Sequence, residues 1–129
     1  MAKFITELLQ ELNDNIGNVK SYQNNNALKE VLKYAMLPER KFILPEGTPP
    51  YRKDAAPQGM TLSNMYQEIR RFYIFLRKDL TPVKRESLFI SMLEGLHPSE
   101  AEVLLLVKEQ HLEYKYPRIT KEAVAELLI

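Results

Sequence analysis

A chain of 129 residues is the usual size of one domain around one core, and 45% apolar with 27% charged residues is a globular rather than a disordered composition. Eighteen basic and 17 acidic residues leave a net charge of +1, so charge as a whole argues for no partner class and any electrostatic role must be local. The absence of cysteine excludes disulfides and thiolate metal sites and fits a reducing compartment, with the cytosol as the simplest expectation.

The first predicted helix carries Phe4, Ile5, Leu8, Leu9, Leu12 and Ile16 at spacings of three and four, with Gly17 as its stop. Glu7, Glu11 and Asp14 interrupt the apolar centre that a signal peptide would need. A second helix follows the Asn24, Asn25 and Asn26 cap, with Leu28, Val31, Leu32, Ala35 and Met36 as its stripe, and ends at Pro38. Val19 and Tyr22 between them suit a short helical turn. Residues 37–60 hold five of the eight prolines and form a long connection, which Phe42, Ile43, Leu44 and Tyr51 can pin to the core. A short strand over Phe42 to Leu44 would lack a second strand to pair with.

Thr61 is the expected N-cap of a third helix with the stripe Leu62, Met65, Tyr66, Ile69, Phe72, Tyr73 and Leu76. Thr81 followed by Pro82 starts a fourth, which Gly95 ends after Leu88, Phe89, Met92 and Leu93. His97 and Pro98 start a fifth, and Val103 to Val107, apolar on every side, mark it as the central helix, buried inside one chain or across a dimer seam. Lys121 to Ile129 read as a short C-terminal helix. The expected fold is all-α: a single compact bundle of about five to six helices, with N-terminal helices over 1–36, the proline-rich loop over 37–60 and C-terminal helices over 61–129. No run approaches the ~18 apolar residues of a membrane span.

No catalytic, cofactor-binding or metal-binding residues are assigned, and the chain is expected not to be an enzyme. His97 suits a helix cap and His111 a helix end, and their separation of 14 residues matches no zinc-binding spacing. Gly17, Gly47, Gly59 and Gly95 lie too far apart for a phosphate-binding loop, and no GxSxG nucleophile elbow occurs. The acidic side chains fall mostly at helix-surface positions. A small metal-dependent hydrolase or nuclease would need them to converge around a divalent ion.

Charge is the uneven feature. Arg70, Arg71, Arg77, Lys78, Lys84 and Arg85 face only Asp79 over residues 70–85, whereas residues 86–113 carry six glutamates against Lys108. At about 100° per residue, Arg70, Arg71, Ile74, Arg77 and Lys78 share one flank of the third helix. Three uses compete for that flank: solvated cations paired with neighbouring glutamates, a protein interface, and a nucleic-acid surface with Tyr66 or Tyr73 stacking on bases. The partner-binding set is Arg70, Arg71, Ile74, Arg77, Lys78, Lys84 and Arg85, extended from the loop by Arg52 and Lys53. A protein partner is expected first and nucleic acid second, with no membrane association.

The segments LPEGTPPY, residues 44–51, and MLEGLHPSEAEVLLLVK, residues 92–108, followed by YPRITKEAVAELL, resemble a family of small uncharacterised proteins from large contractile-tailed bacteriophages of the Myoviridae type. The resemblance spans most of the chain and carries no activity, cofactor or catalytic residues with it. It implies a viral protein in the cytoplasm of an infected bacterium, acting as a virion component or as an effector on host machinery.

Overall fold

Apolar residues three and four apart put one side of each helix against its neighbours, and the computed structural model, which describes residues 3–53 and 60–129, builds an all-helical bundle on that rule. Helix α1 (Ile5–Asp14) buries Ile5, Leu8, Leu9 and Leu12. Its first turn is closed by the Phe4 backbone N–H, which donates to the Glu7 carboxylate at 3.2 Å. A 3₁₀ segment, Ile16–Tyr22, leads to α2 (Asn26–Met36), where the Asn25 side chain accepts from the Leu28 N–H at 3.1 Å. Leu37 and Pro38 end α2, because proline cannot continue the hydrogen-bond ladder.

The third helix departs from expectation in two ways. It starts at Met65, with Asn64 accepting from the Gln67 N–H, and Leu62 is exposed, so Thr61 is not its cap. After one α-helical turn, α3 (Met65–Glu68), the chain tightens into 3₁₀ turns over Ile69–Leu76. Residues three apart then eclipse one another. Phe72 and Phe75 both turn inward, while Tyr73, expected in the core, is 54% exposed. The tighter winding lets both phenylalanines reach one aromatic cluster, where Phe72 meets Tyr34 and Phe42 and Phe75 meets Phe42 and Phe89 at ring separations of 5.0–5.5 Å.

Thr81 caps α4 (Pro82–Gly95) by accepting from the Lys84 N–H, and His97 caps α5 (Pro98–Glu109) by accepting from the Ser99 N–H at 3.2 Å. Helix α5 packs against α1, α2 and α4, and Val103, Leu104 and Val107 are fully enclosed. Leu105 and Leu106 on the remaining side of α5 are half-buried. Among the described residues there is no strand. The Ile43 N–H donates to the Phe75 carbonyl at 2.8 Å, the point where the proline-rich connection is tied to the 3₁₀ turns.

Residues 54–59 of that connection lie outside the described residues. The expected C-terminal helix is reduced to turns and a 3₁₀ segment, Ala125–Leu127, which buries Val124 and Leu127. Nine residues are too few to sustain a helix without tertiary support, and Thr120 closes only the first turn, its hydroxyl accepting from the Ala123 N–H. No described helix is long and apolar enough to cross a membrane.

Candidate functional site

Arg85 lies on the inward stripe of α4 with Phe89, Met92 and Leu93, and its side chain is only 7% exposed. A buried guanidinium needs acceptors for its donors. It finds three backbone carbonyls: Ile43 at 2.9 Å, Arg77 at 3.1 Å and Leu80 at 2.5 Å. This knot joins the start of the proline-rich connection, the end of the 3₁₀ turns and the entry to α4. Arg85 was expected on the partner-binding flank and is instead an internal fastener.

The remaining flank residues divide by their partners. Arg71 donates to Glu68 at 3.2 Å, one 3₁₀ turn earlier, and Arg77 makes a two-pronged contact with Asp79 at 3.0 and 2.6 Å. The Arg77 hydrogen bond holds the Asp79 carboxyl below its ordinary value. Arg71, Ile74 and Arg77 form one eclipsed row, with Ile74 half-buried, and Arg70 shares the next row with exposed Tyr73. Arg70, Lys78 and Lys84 are exposed, and among the described residues their side chains have no ion-pair or hydrogen-bond partner. Val83, 78% exposed, adjoins Lys84 in sequence, and exposed Ile43 is held at the Arg85 knot. These exposed cations, on separate rows of the 3₁₀ turns and at the start of α4, are together with their apolar neighbours called the cationic face.

Arg52 and Lys53 do not join this face. The Arg52 N–H donates to Glu94 at 2.8 Å, and Lys53 lines a cleft with Pro98, Ser99 and Glu102. Glu94 is ten residues beyond Lys84 on α4, a displacement of about 15 Å along the axis at ~1.5 Å per residue. Of the other loop cations, Arg40 pairs with Glu30 at 2.8 Å and lies over the Tyr34 ring.

The loop itself is locked down by α5. Lys108 is 3% exposed, and its ammonium donates to the carbonyls of Pro45 at 2.8 Å and Gly47 at 2.5 Å while pairing with Glu109 at 2.6 Å. Glu109 accepts in turn from the Gly47 N–H at 3.2 Å. Partial burial raises the Glu109 carboxyl, but Lys108, the Gly47 N–H and the charge of Lys41 together bring it below its ordinary value. Gly47 takes a φ of 91°, a left-handed conformation that glycine adopts without a side-chain clash.

Two further polar residues organise helix ends. Glu100, 1% exposed, accepts from the Met65 N–H at 3.1 Å and so serves the start of α3 from the first turn of α5. Burial raises its carboxyl above the ordinary value of 4.5, against the opposing pull of that N–H. Gln110, left-handed at φ 57°, ends α5, and its side-chain amide donates to the carbonyls of Tyr34 at 3.1 Å and Leu37 at 2.7 Å at the end of α2.

His97 acts as a helix cap, as expected, while His111 stacks on Tyr114 with centroids 4.6 Å apart and pairs with Glu113 at 3.1 Å. Among the described residues, no group of three or more histidine, aspartate or glutamate side chains is placed to hold a metal ion.

No curated protein and no solved structure matches the chain. One family model does match, over residues 8–114, which takes in residues 44–51 and 92–108 and every residue of the cationic face but not the closing segment 116–128. On that match the chain belongs to the family of unknown function DUF6433.

Proposed function

We propose that this chain is a non-enzymatic accessory protein that binds another protein through the cationic face and the adjoining start of the proline-rich loop. The observation that carries this reading is the set of unpaired, exposed cations, Arg70, Lys78 and Lys84, next to exposed Ile43, Tyr73 and Val83. Arginine and tyrosine are the residue types that dominate interface energetics, and unpaired cations give such a face a preference for acidic partners. A rigid mount favours binding because less order must be imposed on association, and the Arg85 knot supplies one. In this reading the protein acts in an infected bacterium, as a virion component or as an effector on host machinery, which is what the resemblance to phage proteins implies.

A nucleic-acid partner is the second reading, favoured by exposed Tyr73 lying one 3₁₀ turn from Arg70 in the same row. Against it, Tyr34 and Tyr116 are buried in the core, and the Tyr66 hydroxyl is spent on the Lys3 carbonyl. Arg71 and Arg77 already have carboxylate partners.

Mobility shifts with single- and double-stranded oligonucleotides at two salt concentrations separate the readings, alongside cross-linked capture from infected cells. Several phosphate contacts make affinity fall steeply with salt. Protein capture lost on R70E/K78E/K84E, with no salt-sensitive oligonucleotide shift, supports the first reading; a steep, face-dependent shift overturns it in favour of the second.

A further inference from the structure

We infer that a second copy of this chain occupies the cationic face, presenting an acidic cleft that lies between the LPEGTP loop and helices α4 and α5. The inference rests on the protein-binding reading above and names the partner. The cleft encloses ≈ 210 Å³, with Leu44, Pro45, Pro49 and Phe89 among its walls and two glutamates, Glu46 and Glu86. Lys108 also lines it, but that ammonium is saturated by Pro45, Gly47 and Glu109, and Glu109 cancels its charge. Glu46 is exposed and Glu86 half-buried, and among the described residues neither has a hydrogen-bond or ion-pair partner.

Apolar walls ending in free carboxylates suit one kind of occupant, a lysine or arginine whose aliphatic stem packs while its head pairs. Among the described residues Arg70, Lys78 and Lys84 are exposed side chains of this kind without partners, as are Lys20, Arg118 and Lys121. Lys84 and Glu86 are two positions apart on α4, which sets them about 200° apart around the helix at ~100° per residue. Lys84 therefore points away from the Glu86 of its own chain, and the two meet across copies. A contact between them is head-to-tail between copies, and repeated it closes a ring or extends a filament.

A charge swap tests this with the full-length protein. The wild type, E46K/E86K and K78E/K84E are compared by sedimentation velocity in about 20 mM and about 500 mM salt, where screening lengths differ several-fold. Circular dichroism first establishes that each is folded. The expected result is wild-type self-association that grows with concentration and weakens in high salt, two variants that are each monomeric, and renewed association when the variants are mixed, because each then supplies what the other lacks. A wild type that stays monomeric at low salt overturns the inference, as do variants that associate like the wild type or a mixture that stays monomeric. If self-association is absent while K78E/K84E loses capture of a different protein, the binding reading stands and only the identity of the partner falls. If neither self-association nor capture depends on these lysines, both fall.

Discussion

The Arg85 Nε donates to the Ile43 carbonyl at 2.9 Å, linking two residues 42 positions apart across the base of the proline-rich connection. The same guanidinium reaches the carbonyls of Arg77 and Leu80. One buried side chain thus fixes the backbone on which Ile43, Arg77, Lys78 and Lys84 are displayed. Replacing it with methionine keeps the aliphatic packing but leaves these carbonyls without their donor. Each hydrogen bond to a charged group contributes about 1.5–3 kcal/mol, and the losses within one knot are not additive, so Arg85→Met is expected to lower stability by about 3 kcal/mol in urea denaturation. A loss below about 1 kcal/mol would show that the knot is not structural.

The 3₁₀ winding makes a prediction that an α-helix over the same residues would reverse. Phe75 is enclosed by Phe42 and Phe89, so Phe75→Ala should cost about 3–5 kcal/mol. Tyr73→Ala, on the exposed row, should stay within about 0.5 kcal/mol. Equilibrium unfolding of the pair distinguishes the two windings, since an α-helical stripe would make Tyr73 the costly position.

These cases indicate what can be read in the chain without coordinates. Three helix starts were legible because Thr81, Asn25 and His97 cap in the local way their side chains allow, whereas the third helix is capped by Asn64 and not by Thr61. The change of winding after Glu68 was not, because the pull on Phe75 comes from Phe42 and Phe89, far away in sequence. The buried charges lie between these extremes. Arg85 falls on the stripe of Phe89, Met92 and Leu93, and Glu100 and Lys108 fall on the stripe of Val103, Leu104 and Val107. A charged residue at a core position is a sign of an internal tether. Composition alone counted Arg85 among the surface cations, whereas its place in the helical repeat turns it inward.

Gln110 ends one helix and caps another, so its two roles can be separated by substitution. Gln110→Ala removes both hydrogen bonds to the end of α2 and keeps a side chain in the left-handed region, for an expected loss of about 2–3 kcal/mol. Gln110→Gly loses the same bonds but relieves the backbone, so it should be about 1 kcal/mol more stable than the alanine variant. Chemical denaturation of the three proteins gives the order wild type, glycine, alanine.

Burial raises the Glu100 carboxyl above 4.5, so the folded chain holds that proton more tightly than the unfolded chain. Its contribution to stability is fully present below the unfolded value and is lost as pH rises through the raised folded value. Glutamine keeps an oxygen for the Met65 N–H without the buried charge. Glu100→Gln should therefore gain stability relative to wild type as pH rises from about 4 towards neutrality, with urea midpoints as the readout. A difference that stays constant across this range would mean that the carboxylate is as well solvated in the fold as outside it.

The central claim is that exposed Arg70, Lys78 and Lys84 form the recognition surface. The most direct measurement is quantitative cross-linked capture from infected cells with wild type, R70E/K78E/K84E and the control R52E/K53E, whose charges lie towards the other end of α4. The account predicts that the triple variant loses its captured protein while the control retains it. Equal capture by the wild type and the triple variant, with loss in the control, would contradict it.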